Sequence, residues 1–454
     1  MIKHMLASLL MFCFVGAPAM ADTVLAEQIN GISDLIQQRW TPTEPGGGVI
    51  IMKNGEVIFE TYRGVSDIEQ QTPISATTIF PYASITKRFT ATTILSLVES
   101  DKINLDAAVG DYLAELAEPL SLITIRQLLT HSSGIPDNFK AQFDQEYSTQ
   151  DHIKKISALE LQFEPGTKST YSNNGYNLLG AVIERVTGKA WHDTVIERVV
   201  APLELPSIKY LQHHMTGDSK LIIGYHQNLL DFPLAPVKTA SLLHANGSLA
   251  GTLTDLTLWV KAFHDAEIIS RQSVDTALKK RTLPDGKPGW AMGLFRFEFA
   301  GSEVIVHDGG ANGVNAYTLY IPATNTLVVT GSNVPADARN LAFDITKLLL
   351  GFPSKTFVET PVNTDSITPL LGTYKYSNDK THSLFLHEGA LFLRYGKGRP
   401  VQAIAANEDN TFFFKRKADW FQIKQTSDGT QEFHWHRTGR EKADIAVKKS
   451  PAAN

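Results

Sequence analysis

The hydrophobic periodicity of this chain changes character near residue 353. Up to that point helical and strand patterns alternate. Residues 48–62 (GVIIMKNGEVIFETY) read as two strands joined at Asn54-Gly55, the strongest short hairpin signal. A helix is expected over 84–98, with Ile85, Phe89, Leu95 and Val98 close to one face. Another is expected over 176–186, where Leu179, Val182, Ile183 and Val186 recur at helical spacing before Gly188. A third is expected over 254–265, opened by Thr254. Strands follow at 303–307, 316–321 and 326–331, then an amphipathic helix over 338–350 closed by Gly351 and Pro353. Residues 353–369 have little periodicity and read as a linker. Beyond it only short alternating strands remain, divided at Glu388-Gly389, Asp428-Gly429 and Thr438-Gly439. About 85 residues at this spacing make roughly eight strands, enough for a small closed antiparallel barrel. The aromatics at 412–414, 420–421, 433 and 435 are read as its filling.

The first 21 residues, MIKHMLASLLMFCFVGAPAMA, form a separate unit. Lys3 gives a basic start, Met5–Ala17 a short apolar run, and Ala19-Met20-Ala21 a small-x-small cleavage site. The run falls short of the ~20 residues a spanning helix needs, so a signal peptide cleaved after Ala21 is expected, with no stable membrane anchor. The single cysteine, Cys13, lies inside it. The mature chain would then lack cysteine, in a compartment where thiols oxidise, and would be periplasmic or secreted. The domain plan is 1–21 signal peptide, 22–352 main domain, 353–369 linker and 370–454 barrel. With 42 Lys+Arg against 47 Asp+Glu, the charge of −5 argues against a general grip on nucleic acid.

Ser84-Ile85-Thr86-Lys87 opens the 84–98 helix. Three residues apart on a helix, the hydroxyl and the amine share one face. A helix N-terminus favours developing negative charge, and a partly desolvated lysine can lose its proton near neutrality and activate the hydroxyl. Ser-x-x-Lys alone is a weak signal, and it recurs at Ser377–Lys380. Tyr-Ser-Asn likewise occurs at 171–173 and 376–378, and His-x-Gly at 307–309 and 387–389. The later copies crowd onto polar turns between strands, where no helix presents Lys380, and read as coincidences. The earlier copies fall on three separate elements able to converge on one cleft, as a serine hydrolase requires. His213-His214 and His434-Trp435-His436 lack a supporting carboxylate or cysteine pattern, so no metal site is assigned.

In these stretches the chain resembles the serine β-lactamase and penicillin-binding-protein superfamily, in its class C and D-Ala-D-Ala carboxypeptidase-like branch. The matching segments are FPYASITKRFTATTILSLVE (80–99), ITIRQLLTHSSGIPD (123–137), FEPGTKSTYSNNGYNLLGAVIERVTG (163–188), NGSLAGTLTDL (246–256), GWAMGL (289–294) and VHDGGANG (306–313). The resemblance implies an α/β half with an antiparallel sheet flanked by helices, plus an all-α half, ahead of the barrel. It implies Ser84 as nucleophile, with Lys87 and Tyr171 moving the proton. It also implies substrate binding by Asn173, His307 and Gly309, and an oxyanion hole from the backbone N–H groups of Ser84 and Gly310. No cofactor is required. Tyr-Ser-Asn at 171–173 points to a tyrosine as proton carrier. His307 stands where β-lactamases usually carry lysine, which is similar to D-Ala-D-Ala carboxypeptidases, D-aminopeptidases and some esterases. A neutral histidine would hold a substrate carboxylate less firmly than an ammonium. The C-terminal barrel resembles, by position and strand count, the lipocalin-like barrels that follow this domain in some relatives.

The expected activity is therefore acyl transfer by an exported hydrolase, on an amide or ester bond of a small molecule or a peptide containing D-residues. Alternatives are an esterase, a β-lactamase, or a penicillin-binding sensor that acylates without turnover. Oligomeric state leaves no readable pattern.

Overall fold

The computed structural model describes residues 17–137, 145–211, 220–236, 238–311, 313–335, 337–352, 358–398, 401–406, 410–414, 416–436 and 442–448. At its centre is a six-stranded antiparallel sheet. Its strands are β1 (Gly47–Lys53), β2 (Glu56–Arg63), β3 (Phe295–Phe299), β4 (Ser302–Ala311), β5 (Val314–Ile321) and β6 (Thr326–Ser332), in the order β3-β4-β5-β6-β1-β2. Chain from both ends of the domain thus builds one sheet, with β1 paired to β6 from Gly47↔Ser332 to Lys53↔Thr326. The β1–β2 turn has Asn54 and Gly55 at φ 53° and 85°, the left-handed pair that a tight hairpin needs. The run Val49-Ile50-Ile51-Met52 is buried on both faces: Val49 and Ile51 join one core, Ile50 and Met52 the other. A strand covered on both sides must be apolar at every position, which is why this segment does not alternate.

Among the helices that cover the sheet and build the second half are α1 (Ala17–Arg39), α2 (Thr86–Glu99), α3 (Asn173–Thr187), α4 (Leu253–His264) and α5 (Asp337–Leu349). Helices α1 and α5 close one face through Ile32, Ile36, Leu341 and Ile345. On the other face, Leu256 and Trp259 of α4 share a core with α2 and α3. The sequence pattern gives α2 one apolar face, but every residue from Thr86 to Leu97 is buried. Three of its threonines fit because their hydroxyls are bonded, while the buried Thr93 hydroxyl has no partner among the described residues. Thr90 donates to the Ala245 carbonyl at 2.7 Å, Thr92 to the Arg88 carbonyl at 2.8 Å, and Thr86 accepts from the Leu249 N–H at 3.1 Å. Thr254 does not cap α4; Thr252 does, accepting from the Asp255 N–H at 3.1 Å. Most of the apolar leader, residues 1–16, lies outside the described residues. The expected cleavage site falls near the start of α1, ahead of Gln28, whose amide donates to the Leu348 carbonyl at 3.0 Å.

The C-terminal module is a closed barrel of eight antiparallel strands, from Gly372–Lys375 to Asp444–Lys448, sealed by Tyr374↔Lys448 pairing. Phe412, Phe414, Phe421 and Phe433 fill it, but Phe413 and Trp420 do not. Strand alternation puts these two into a separate cluster with Ile404 and Ala406. The expected linker is shorter than 353–369. Thr360 already donates its backbone N–H to the Ala405 carbonyl at 2.9 Å, and Ile367 belongs to the barrel core.

One barrel residue reaches deep into the first domain. Arg416, in the turn between strands Thr411–Phe414 and Lys417–Gln425, is 5% exposed. Its guanidinium donates to Asp337 at 2.9 Å and to the Pro45 carbonyl at 2.9 Å, and lies 5.2 Å from the Phe232 ring centre. Asp337 also accepts from the Trp40 indole at 2.6 Å. Removing one partner of a buried ion pair strands the other. Asp337 keeps Trp40 and Arg39, so Arg416→Ala is expected to destabilise the protein by about 3 kcal/mol, at the low end for such a loss. Asp106→Ala, breaking the exposed Arg126 pair, is expected to cost under about 1 kcal/mol. Denaturant titration of both variants checks this; equal effects would contradict it.

Candidate active site

The site lies where α2, α3 and the β4 edge meet. Ala83 precedes Ser84 at φ 44°, a left-handed conformation that alanine seldom adopts, and Ala83–Ile85 form one tight turn before α2. Strand β4 passes directly beside this turn. A Cβ on Gly309 would sit 2.0 Å from the Tyr82 carbonyl oxygen, so only glycine permits the approach. Strand β3 pairs with β4 only as far as Val306. From His307 onward that edge has no β3 neighbour, and Gly310 is exposed at it.

Ser84, Lys87, Tyr171 and Asn173 form one hydrogen-bonded group. The Tyr171 hydroxyl donates to Ser84 Oγ at 2.7 Å. The Lys87 amine donates to Ser84 Oγ at 3.3 Å, Asn173 Oδ1 at 2.6 Å and the Asn246 carbonyl at 2.8 Å. Lys87 is fully buried, and burial lowers its pKa to about 7 against the opposing pull of Asp137 and Asp308. Burial pushes the Tyr171 phenol well up, partly countered by its bond to Ser84, so Tyr171 keeps its proton at neutral pH. The serine thus has two donors on its oxygen, one of them an amine able to exist uncharged near neutrality.

His307 lies on β4 but is buried, with Nδ1 donating to its neighbour's carbonyl, Asp308 O, at 2.6 Å. Burial, then Lys87 and Arg88, lower its pKa to about 3, so the ring is neutral. The duplicate motifs fall on turns between barrel strands, as expected. Asp379 occupies a turn at φ 64°, and His387-Glu388-Gly389 lies at a barrel hairpin. His434 bonds to Glu432 at 2.8 Å, and His436 stacks on Trp420 with ring centres 3.7 Å apart. His213 and His214 lie outside the described residues.

Four participants lie in segments that carry the resemblance, but the sequence assigns none of them a role. Asn246 acts through its backbone carbonyl, which its side-chain identity does not announce. That carbonyl is anchored from behind: the Asn246 amide donates to Asn177 Oδ1 at 2.9 Å, and the Asn177 amide to His152 Nδ1 at 3.1 Å. His131 accepts from the Ser172 N–H at 3.1 Å and packs against Tyr171 and Trp290. Trp290 flanks the Tyr171 ring at 5.4 Å. Asp137 accepts from Asn173 twice, from its N–H at 2.8 Å and its side-chain amide at 2.6 Å. His131 and Asp137 both lie in THSSGIPD (130–137), whose residue types carry no distance to Asn173 until the chain folds.

With this geometry in place, the comparisons fix the class. Residues 32–350 match the Beta-lactamase family, and the chain belongs to that family of serine hydrolases. It is 26% identical over 73% of its length to a D-aminopeptidase of Gluconobacter oxydans (strain 621H), covering 63% of that protein. It is 25% identical over 64% of its length to protein flp of Staphylococcus aureus (strain MW2), covering 60% of it. The chain thus spans about three-fifths of the length of these curated relatives. Among solved structures, it superposes on the octameric penicillin-binding protein homologue of Pyrococcus abyssi with a TM-score of 0.66 at 23% identity, covering 93% of this chain and 100% of that one. A D-amino acid amidase of Ochrobactrum anthropi SV3 follows at 0.60 and 21%, covering 72% of this chain and 99% of that one. At such identities these structural likenesses establish the fold.

His131, His152, His264 and His307 are all held neutral, chiefly by burial, His152 at about 4 and the others low as well. The unfolded chain takes up protons on these rings near their ordinary value of about 6.5, while the folded chain does not. Stability contributed by their neutral burial is complete above about pH 6.5 and is lost as pH falls from there. Thermal unfolding across this range is expected to show a falling midpoint between neutral pH and about pH 5, before most carboxylates protonate. A flat midpoint over that interval would contradict it.

Proposed function

We propose that this protein is an exported hydrolase that cleaves amide bonds through a Ser84 acyl-enzyme, acting on amides or peptides that present a D-amino acid with a free amine. The observation that carries the substrate reading is electrostatic. The charges bearing on Lys87 besides the general effect of burial are the carboxylates of Asp137 and Asp308, and both also bear on Tyr171. The histidine at the position that would hold a carboxylate is buried and neutral. A site flanked by acids and backed by a neutral imidazole favours a cationic substrate end over an anionic one. The likeness to a D-aminopeptidase points the same way. It disfavours the β-lactamase and carboxypeptidase readings, whose substrates carry a carboxylate. Export rests on the signal-type pattern of residues 1–21.

In the mechanism, Ser84 Oγ attacks the carbonyl carbon while its proton passes to the uncharged Lys87 amine. The oxyanion takes the backbone N–H groups of Ser84 and Gly310. As the intermediate collapses, the C–N bond breaks and the leaving nitrogen takes the Tyr171 proton, which Lys87 restores. Water then attacks the acyl-enzyme by the same path in reverse. Assigning the proton to Lys87 refines the expectation of a tyrosine carrier, because Lys87 titrates near neutrality and Tyr171 does not.

Two measurements test this. Purified protein and Ser84→Ala are assayed with D- and L-alanine p-nitroanilides, N-acetylated D-alanine p-nitroanilide and a penicillin. Turnover is expected for the free-amine D-substrate, at least about tenfold lower after N-acetylation, and lost in Ser84→Ala. Equal rates on both forms would sink the cationic-end reading, and stable penicillin labelling without turnover would favour the sensor. The pH profile of kcat/KM for the wild type is expected to fall on the acid side through about 7, as Lys87 gains its proton. A rate constant down to about pH 5 would exclude Lys87 as the base.

A further inference from the structure

Asn173 is the first residue of α3, and its side-chain amide stands between two groups of opposite demand. On one side the Lys87 amine needs an acceptor, and finds Asn173 Oδ1 at 2.6 Å. On the other, Asp137 offers only acceptors: Oδ2 takes the Asn173 amide hydrogen at 2.6 Å. The other carboxylate oxygen takes the backbone N–H groups of Asn173 at 2.8 Å and Asn174 at 3.3 Å. An amide is nearly symmetric in shape, so packing alone does not choose which end faces Lys87. A carboxylate, which cannot donate, does choose.

We propose that Asp137 is a positioning residue for the reaction: by accepting from Asn173 Nδ2 it locks the amide with its oxygen toward Lys87, and so holds the amine against Ser84. This rests on the reading of Ser84 and Lys87 as the reacting pair. It extends that reading to a residue on the 130–137 loop that does not bond to Ser84 or Lys87. The Asp137 charge works in the same direction, since it supports the protonated amine. The groups around Lys87 are Asp137 on that loop, Asp308 and the neutral His307 on β4, the neutral His131, and the Tyr171 and Tyr176 rings at 4.8 and 5.7 Å. Arg88, on α2 itself, faces Thr318 at 3.1 Å. Asp137 is the carboxylate in this set that also bonds to Asn173. Without it, Asn173 is free to turn its NH2 toward Lys87, which disfavours the ammonium further. Loss of the charge and loss of the amide lock therefore both lower the Lys87 pKa.

The test uses an alkyl fluorophosphonate, which reports the reactivity of the serine without assuming a substrate. Labelling rates are followed across the pH range around neutrality for the wild type, Asp137→Asn, Asp137→Ser and Ser84→Ala. Asp137→Asn keeps an acceptor for the α3 N-terminus, and Asp137→Ser keeps a capping hydroxyl, so at least one is expected to fold. In a folded variant the acid limb is expected to move to lower pH by about half a unit or more, the direction set by removing a nearby negative charge. The plateau rate is expected to fall roughly tenfold as the amine loses its fixed position. A limb that coincides with the wild type, with loss confined to the melting temperature, would overturn the proposal and leave Asp137 as a helix cap. Labelling of Ser84→Ala at the wild-type rate would instead overturn the reading of Ser84 itself.

Discussion

The architecture turns on keeping one amine out of water. An isolated ammonium is expensive to bury, and the cost falls only if the group sheds its proton or finds acceptors on every side. Lys87 does both in part: its pKa drops to about 7, and its three donor positions meet Ser84 Oγ, Asn173 Oδ1 and the Asn246 carbonyl. These acceptors come from three elements distant in sequence. The buried amine is therefore satisfied only when α2, the start of α3 and the 246 turn are all in place. Folding and the assembly of the site are one event.

Other features follow from that demand. Helix α2 must run through the interior to carry Lys87, and Thr86, Thr90 and Thr92, bonded to Leu249, Ala245 and their own helix, help it do so with a polar sequence. The sheet must come close enough to present a free edge beside Ser84, and Gly309 makes the approach to Tyr82 possible. The histidines nearest the amine are neutral in consequence, because burial and the lysine itself disfavour a second positive charge. The barrel joins the frame from the side through Arg416 and Asp337, tying it to the N-terminal end of α5.

Much of this fold is legible in the amino-acid sequence, for a physical reason in each case. The Asn54-Gly55 hairpin is legible because its turn demands left-handed residues. Helix α3 is readable because its apolar residues recur at helical spacing up to Gly188, which ends it in the left-handed conformation, and the eight-strand barrel because each strand has an inside and an outside. A single apolar face is the wrong expectation for α2 because hydrogen bonds made by several of its threonines let its polar side be buried as well. The aromatics at 413 and 420 point away from the barrel interior because an apolar composition marks a strand without saying which of its sides faces inward. The linker is shorter than its composition suggests because Thr360 joins the barrel through backbone hydrogen bonds, which side chains do not announce.

What the sequence determines by itself is the chemistry available: a hydroxyl and an amine one helical turn apart, a tyrosine and an asparagine ahead of a second helix, and a glycine-rich strand end. Local spacing sets which side chains share a face, so Ser84 and Lys87 can be paired from the sequence alone. Only the tertiary structure decides the amine's protonation, the neutrality of His307, the orientation of the Asn173 amide and the recruitment of Asp137 and Asn246. Each of these depends on burial or on contacts between segments far apart in the chain, and a pKa or an amide orientation exists only once those surroundings have formed.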